Sequence, residues 1–251
     1  MALGLLQHQE HDSVKKFGRY EFKYYTRILH CLFRTHAKGA GCVLDDGCGK
    51  GEWLDYLKEG TLAVGIDIEP TNIDEARALF AKTHQFLVAD ARYLPFRGNS
   101  FDLILCRDVL EHVTDKARAL TELARTLQEG GTVLISTTNL LSPIMLLDSL
   151  LPSVVSRKLI SNLGGEHYHD RARRFSSWSL IKSLRQQGLR TSVTMLRVPP
   201  PLGENLASRF TFSSCIIYYA WYSFGRISEA RFLEKFKEMI LVEARKLDGT
   251  R

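Results

Sequence analysis

A chain of 251 residues, 45% of them hydrophobic, is long enough to bury a substantial core as one domain over residues 1–251. Its five cysteines, Cys31, Cys42, Cys48, Cys106 and Cys215, are odd in number and form no Cys-x-x-Cys pair, which argues against a disulfide framework and a zinc site. The net charge of +6 is unevenly spread, −3 over residues 1–156 and +9 over residues 157–251, so an RNA, membrane-surface or acidic partner would meet the C-terminal part; a solvated basic surface is the alternative.

In chain order, Met1 to Leu6 is too short an apolar stretch for a secretion signal, and a cytoplasmic location is expected. Tyr20 to Arg34 places Phe22, Tyr25, Ile28, Leu29, Leu32 and Phe33 at helical spacing, a helix that packs over a ligand edge or simply packs. Val43 to Gly51 then reads Val-Leu-Asp-Asp-Gly-Cys-Gly-Lys-Gly, an apolar strand running into three alternate glycines, with Glu52 to Leu57 expected as the helix that follows. A dinucleotide fingerprint needs a sixth-place glycine, and Glu52 stands there.

Asp45, Gly47, Gly49 and Gly51 resemble the first motif of the class I S-adenosylmethionine-dependent methyltransferases, an acid two places before Gly-x-Gly-x-Gly. The resemblance implies a Rossmann-like α/β fold, a doubly wound, mostly parallel seven-stranded sheet with helices on both faces and an antiparallel C-terminal edge. It covers about residues 40–140, with a weaker continuation to about 190. Residues 1–39 would form an N-terminal helical lid, 40–140 the cofactor-binding core, and 141–251 a substrate-side lid, the last strands and a C-terminal helix.

Leu62 to Asp67 reads as a second buried strand whose terminal acid stands where doubly wound folds hold ribose hydroxyls. Phe86 to Ala89 is a third strand ending at Asp90, which by resemblance accepts from the adenine amino group. Phe101 to Cys106 and Gly130 to Ser136 are the fourth and fifth strands. By the same resemblance Ile68, Ala91 and Cys106 join the cofactor-binding set. A single acid at a strand end is more often a cap or turn residue; three in succession are harder to explain that way.

Asp108, Glu111 and His112 are expected on one helical turn past the fourth strand. In ubiquinone-pathway O-methyltransferases an acid-x-x-Glu-His arrangement here is associated with a divalent metal; because hard cations prefer oxygen ligands, no metal is expected. Leu140 to Leu163 is apolar but cut by Pro143 and Pro152 well short of the ~20 apolar residues of a membrane span, and fits lid helices over a lipophilic acceptor. Peripheral membrane contact is open to it. Beyond it, His167 and His169 precede Arg174-Phe175 and a helix capped by Ser176 or Ser177 and ending at Gly188, which resembles the segment before the last helix of ubiquinone-biosynthesis-type methyltransferases. Ser192 to Val198 and Phe210 to Tyr222 are candidate last strands, and Phe232, Leu233, Phe236, Met239, Ile240 and Leu247 a helical stripe.

The resemblance implies methyl transfer from S-adenosylmethionine to a small lipophilic or aromatic acceptor, with O-methylation favoured and His112, His167 and His169 as the candidate catalytic bases. RNA or protein methylation through the basic C-terminal part and non-catalytic partner binding are the alternatives. Nucleic acid is not favoured as partner, and oligomeric state is left open.

Overall fold

A computed structural model describes residues 23–142, 175–196 and 239–247. Seven strands form one sheet in the order β3-β2-β1-β4-β5-β7-β6. They are β1 (Cys42–Asp46), β2 (Leu62–Asp67), β3 (Gln85–Val88), β4 (Phe101–Arg107), β5 (Leu127–Thr138), β6 (Leu189–Leu196) and β7 (Met239–Lys246). Strands β1 to β5 are mutually parallel; β7 runs antiparallel to both β5 and β6, so the inserted β7 alone opposes the rest. The chain leaves β1 first toward β2 and β3 and later crosses to β4 and β5, which makes the β1/β4 boundary the switch point where open α/β sheets hold ligands.

The central strands are apolar on both faces because helices cover both. On one face, Leu29 and Phe33 of α1 (Lys23–Ala37), both at 0% exposure, pack on Val43, Leu103, Leu105 and Leu134. Ile73 and Ala76 of α2 (Pro70–Phe80) cover Ala63 beside them. On the opposite face Leu120 and Leu123 of α3 (Lys116–Thr126) join Leu180 and Leu184 of α4 (Ser177–Gln186) over Leu44, Ile104, Val133 and Val242. Ser176 caps α4 in a reciprocal capping box with Ser179, and Gly188 closes it at φ +78°. Among the described residues no helix is long and apolar enough to cross a membrane.

Three expectations change. The segment after the glycines forms only a 3-10 turn, Leu54–Tyr56, because i→i−3 bonds such as Leu54 N–H to Gly51 O carry the chain round tightly before β2. Asp108 to His112 is a turn and not a helical one: Asp108 adopts φ +55° and the His112 N–H donates to Val109 O. Met239 to Lys246, expected on a helical stripe, is the strand between β5 and β6, with Met239, Ile240, Leu241, Val242 and Ala244 all buried. A continuous apolar run buried on both faces carries no period that separates strand from helix. Ser192 to Leu196 lies in β6, whereas Phe210 to Tyr222 and the stripe before Met239 lie outside the described residues.

Candidate functional site

At the carboxyl ends of β1, β2, β3 and β4 opens a cavity of about 400 Å³, within the range of small-molecule sites. Gly47 turns the chain out of β1 at φ +77°, and the N–H groups of Gly47 and Cys48 both donate to Ile66 O at 2.8 Å. A Cβ on Gly47 would run into the Val109 side chain, whereas around Gly49, at φ +53°, one would meet no heavy atom within 4 Å. The turn therefore leaves room on its outer side for a ligand to approach the backbone.

Asp67, at the end of β2, holds this turn. Its Oδ2 accepts from Gly49 N–H at 2.9 Å and its Oδ1 from Glu69 N–H at 2.8 Å. Asp90, beyond β3, is gripped by Arg92 through the backbone N–H at 2.8 Å, Nε at 3.0 Å and Nη2 at 2.6 Å, and this guanidinium holds its carboxyl below the usual range. Arg92 Nη1 also donates to Thr114 Oγ1 at 2.9 Å and so ties the β3 side of the cavity to the loop after β4. The Leu94-Pro95-Phe96 segment is fixed from α3: Glu122 accepts from Leu94 N–H at 2.9 Å, and Arg125 donates to Phe96 O and Leu94 O.

At the β4 end, Asp108 Oδ1 accepts from Ser136 Oγ at 3.1 Å, Arg107 lies 3.4 Å from Asp108 Oδ2, and Glu111 Oε2 accepts from Thr137 Oγ1 at 2.9 Å. Burial, reinforced by the nearby Asp108 charge, pushes Glu111 up to about 7. Asp45 and Asp46 are 2% and 1% exposed and burial pushes each up to about 7, Arg107 partly offsetting this for Asp45.

Of the residues singled out in the sequence, Gly47, Asp67, Ile68, Asp90, Ala91 and His112 line the cavity together. Asp45, Gly49, Gly51 and Cys106 are not on its wall, and Cys106 is fully buried with its thiol against Asp46. His167 and His169 lie outside the described residues. Sequence reasoning passed over Asp46, Arg92 and Thr114 on the wall; the doubled acid before Gly47 was the visible signal for the first. Among the described residues no three His, Cys, Asp or Glu side chains converge as a metal site.

Three carboxyls raised to about 7 define a pH dependence. Their unfolded values lie near about 4, so between about 4 and 7 the folded protein binds more protons than the unfolded chain, and stability falls as pH rises through that window. We expect a lower melting temperature at about pH 8 than at about pH 5.5, and for Glu111→Gln a flatter slope with a higher melting temperature at the upper pH. Thermal melts across that range check this; an unchanged slope in the variant removes Glu111 from the account.

Residues 44–135 match the methyltransferase domain family. The chain is 30% identical over 158 residues to the ubiquinone biosynthesis O-methyltransferase of Thiobacillus denitrificans, a match covering 59% of this chain and 64% of that protein. It is 37% identical over 102 residues to the chloroplastic tocopherol O-methyltransferase of Arabidopsis thaliana, covering 38% and 29% of the two chains. It thus spans less than two thirds of the length of either curated relative. Among solved structures, the [4+2]-cyclase SpnF superposes with a TM-score of 0.61 at 20% identity over 93% of this chain and 86% of its own. Phosphoethanolamine N-methyltransferase 2 of Haemonchus contortus, in complex with S-adenosyl-L-methionine, superposes with a TM-score of 0.57 at 17% identity over 88% of this chain and 53% of its own. The shared fold thus carries more than one chemistry. The domain match, however, spans the glycine turn and the acids that end β2 and follow β3, and it is over this segment that the chain is similar to the class I S-adenosylmethionine-dependent methyltransferases.

Proposed function

We propose that this protein transfers the methyl group of S-adenosylmethionine to a small lipophilic or aromatic acceptor, with oxygen the favoured atom. The observation that carries the reading is the cavity at the sheet's switch point, walled by Gly47, Asp67 and Asp90. These residues suit the cofactor. Asp67 spends one contact per oxygen on backbone amides and keeps acceptor capacity for ribose hydroxyls. Gly47, at φ +77°, lets the chain turn sharply beside Val109 at the edge of the cavity. Asp90, fixed as a carboxylate by Arg92, sets a negative charge at the adenine end.

The cofactor's sulfonium supplies an electrophilic methyl. What falls to the chain is to hold the acceptor in line, exclude water and receive a proton. His112, exposed on the cavity wall beyond β4, is the described residue placed to take a proton from an acceptor hydroxyl, and His167 and His169 stay candidates for the same task. Oxygen is favoured because the relatives of ubiquinone and tocopherol synthesis are named O-methyltransferases.

Calorimetric titration with S-adenosylmethionine, S-adenosylhomocysteine and NADH tests the cofactor, and formation of S-adenosylhomocysteine with phenolic, quinol and lipid acceptors tests the transfer. The expected result is micromolar binding of the first two, none of NADH, and turnover with an apolar hydroxyl acceptor. Binding with turnover only on RNA or protein overturns the acceptor class, and absence of binding overturns the whole reading.

A further inference from the structure

Asp46 takes no part in the function proposed above. It is the last residue of β1, and because side chains alternate along a strand it faces away from Asp45, toward the side of the sheet where Leu44, Ile66 and Cys106 pack. It reaches the cavity wall beside Gly47 yet is only 1% exposed. The Cys106 thiol hydrogen-bonds its carboxyl, while Oδ2 is buried with no hydrogen-bond partner. The titratable groups acting on it are Asp45 on its own strand, Asp67 ending β2, Asp90 beyond β3 and Cys106 on β4, all of them acidic.

A buried carboxyl with a free oxygen lowers stability relative to an apolar side chain of similar size. Such an oxygen at a ligand cavity, one strand over from the acid proposed to meet the ribose, is accounted for by a contact that the ligand completes. We propose that Asp46 is a further cofactor-contact residue, whose free carboxyl oxygen hydrogen-bonds the adenosyl part of the cofactor. This rests on the cofactor reading of the site. Because burial and its acidic neighbours push Asp46 up to about 7, the oxygen carries a proton at mildly acidic pH and acts there as a donor.

The test uses S-adenosylhomocysteine, whose neutral sulfur removes the sulfonium charge and keeps the adenosyl contacts. Titrations at about pH 6 and about pH 8.5 compare the wild type with Asp46→Leu and Asp46→Asn, alongside thermal melts. Asp46→Leu is expected to melt higher yet bind about 10-fold more weakly at the lower pH. Asp46→Asn, which retains a donor, should stay within about threefold of the wild type there. The wild type should lose about 10-fold on going to the higher pH, and Asp46→Asn should lose that dependence. Wild-type affinity in Asp46→Leu overturns the proposal, as does a loss in Asp46→Asn equal to that in Asp46→Leu. Should Asp46→Leu fail to melt cooperatively, the Asn variant decides, since a retained pH dependence in it also overturns the contact. A wild type that binds no S-adenosylhomocysteine fails the cofactor reading itself.

Discussion

Exchanging Asp67 for alanine should lower the affinity for S-adenosylhomocysteine about 100-fold, or about 2.7 kcal/mol, while leaving a cooperative thermal transition. One side chain performs two tasks in this position. Its oxygens hold Gly49 N–H at 2.9 Å and Glu69 N–H at 2.8 Å, and these bonds fix the glycine turn relative to the start of α2. A carboxylate has about four acceptor positions, so the pair that remains can meet a ribose diol. Hydrogen bonds to a charged group contribute about 1.5–3 kcal/mol each, and loss of a diol contact together with loss of the ordered turn leads to the predicted figure. Asp67→Asn should fall nearly as far, because an amide NH₂ turned toward either backbone N–H sets donor against donor. Calorimetric titration reads both variants. An Asp67→Ala affinity within about threefold of the wild type would remove the ribose role and leave Asp67 as a turn residue.

How much of this was legible in the sequence depends on whether the signal is local. Val43-Leu44, Leu62 to Ile66 and Phe101 to Cys106 read correctly as strands, since short apolar runs ending in acid or glycine belong to parallel strands covered on both sides. Ser176 or Ser177 was legible as the cap, and Ser176 takes the role with Ser179 three residues on as its partner. Met239 to Lys246 was not legible as a strand, because its strand character comes from docking between β5 and β6, which lie about 110 and 50 residues earlier in the chain. The turn at Asp108 escaped for the same kind of reason: φ +55° is held by bonds to Ser136 on β5, invisible in the run Asp-Val-Leu-Glu-His. In the candidate site, the acids stood visibly at the ends of apolar runs, and the family resemblance supplied the roles expected of Asp45 and Asp90. The clamp of Arg92 across Asp90 and Thr114, and the burial of Asp46 against Cys106, are tertiary facts with no local signature.

Gly51→Ala should destabilise the fold by about 3 kcal/mol, a fall in melting temperature of roughly 10 °C for a chain of this size. Gly51 sits at φ +80°, where a side chain costs about 1–2 kcal/mol of backbone strain. Its Cβ would also lie 2.7 Å and 2.8 Å from Cε1 and Cζ of Phe86 and 3.3 Å from Ala76 Cβ. Phe86 has no room to give way. The ring is 5% exposed and also fills the space over Gly65, where a Cβ would meet it at 2.7 Å and the Cys48 sulfur at 2.9 Å. Overpacking of this kind costs about 1–3 kcal/mol beyond the strain. Gly49→Ala supplies the contrast: with φ +53° and no heavy atom within 4 Å it bears only the strain, and its melting temperature should fall by roughly 4 °C, less than half as far as that of Gly51→Ala. Phe86→Leu separates the two contributions, since in a double-mutant cycle it should recover the overpacking part of the Gly51→Ala loss and none of the strain. A Gly51→Ala protein melting within about 2 °C of the wild type would show that the ring yields. If the predictions hold, glycines at alternate places of one motif answer to different constraints, Gly51 to the aromatic ring packed behind the turn and Gly49 to its backbone conformation alone.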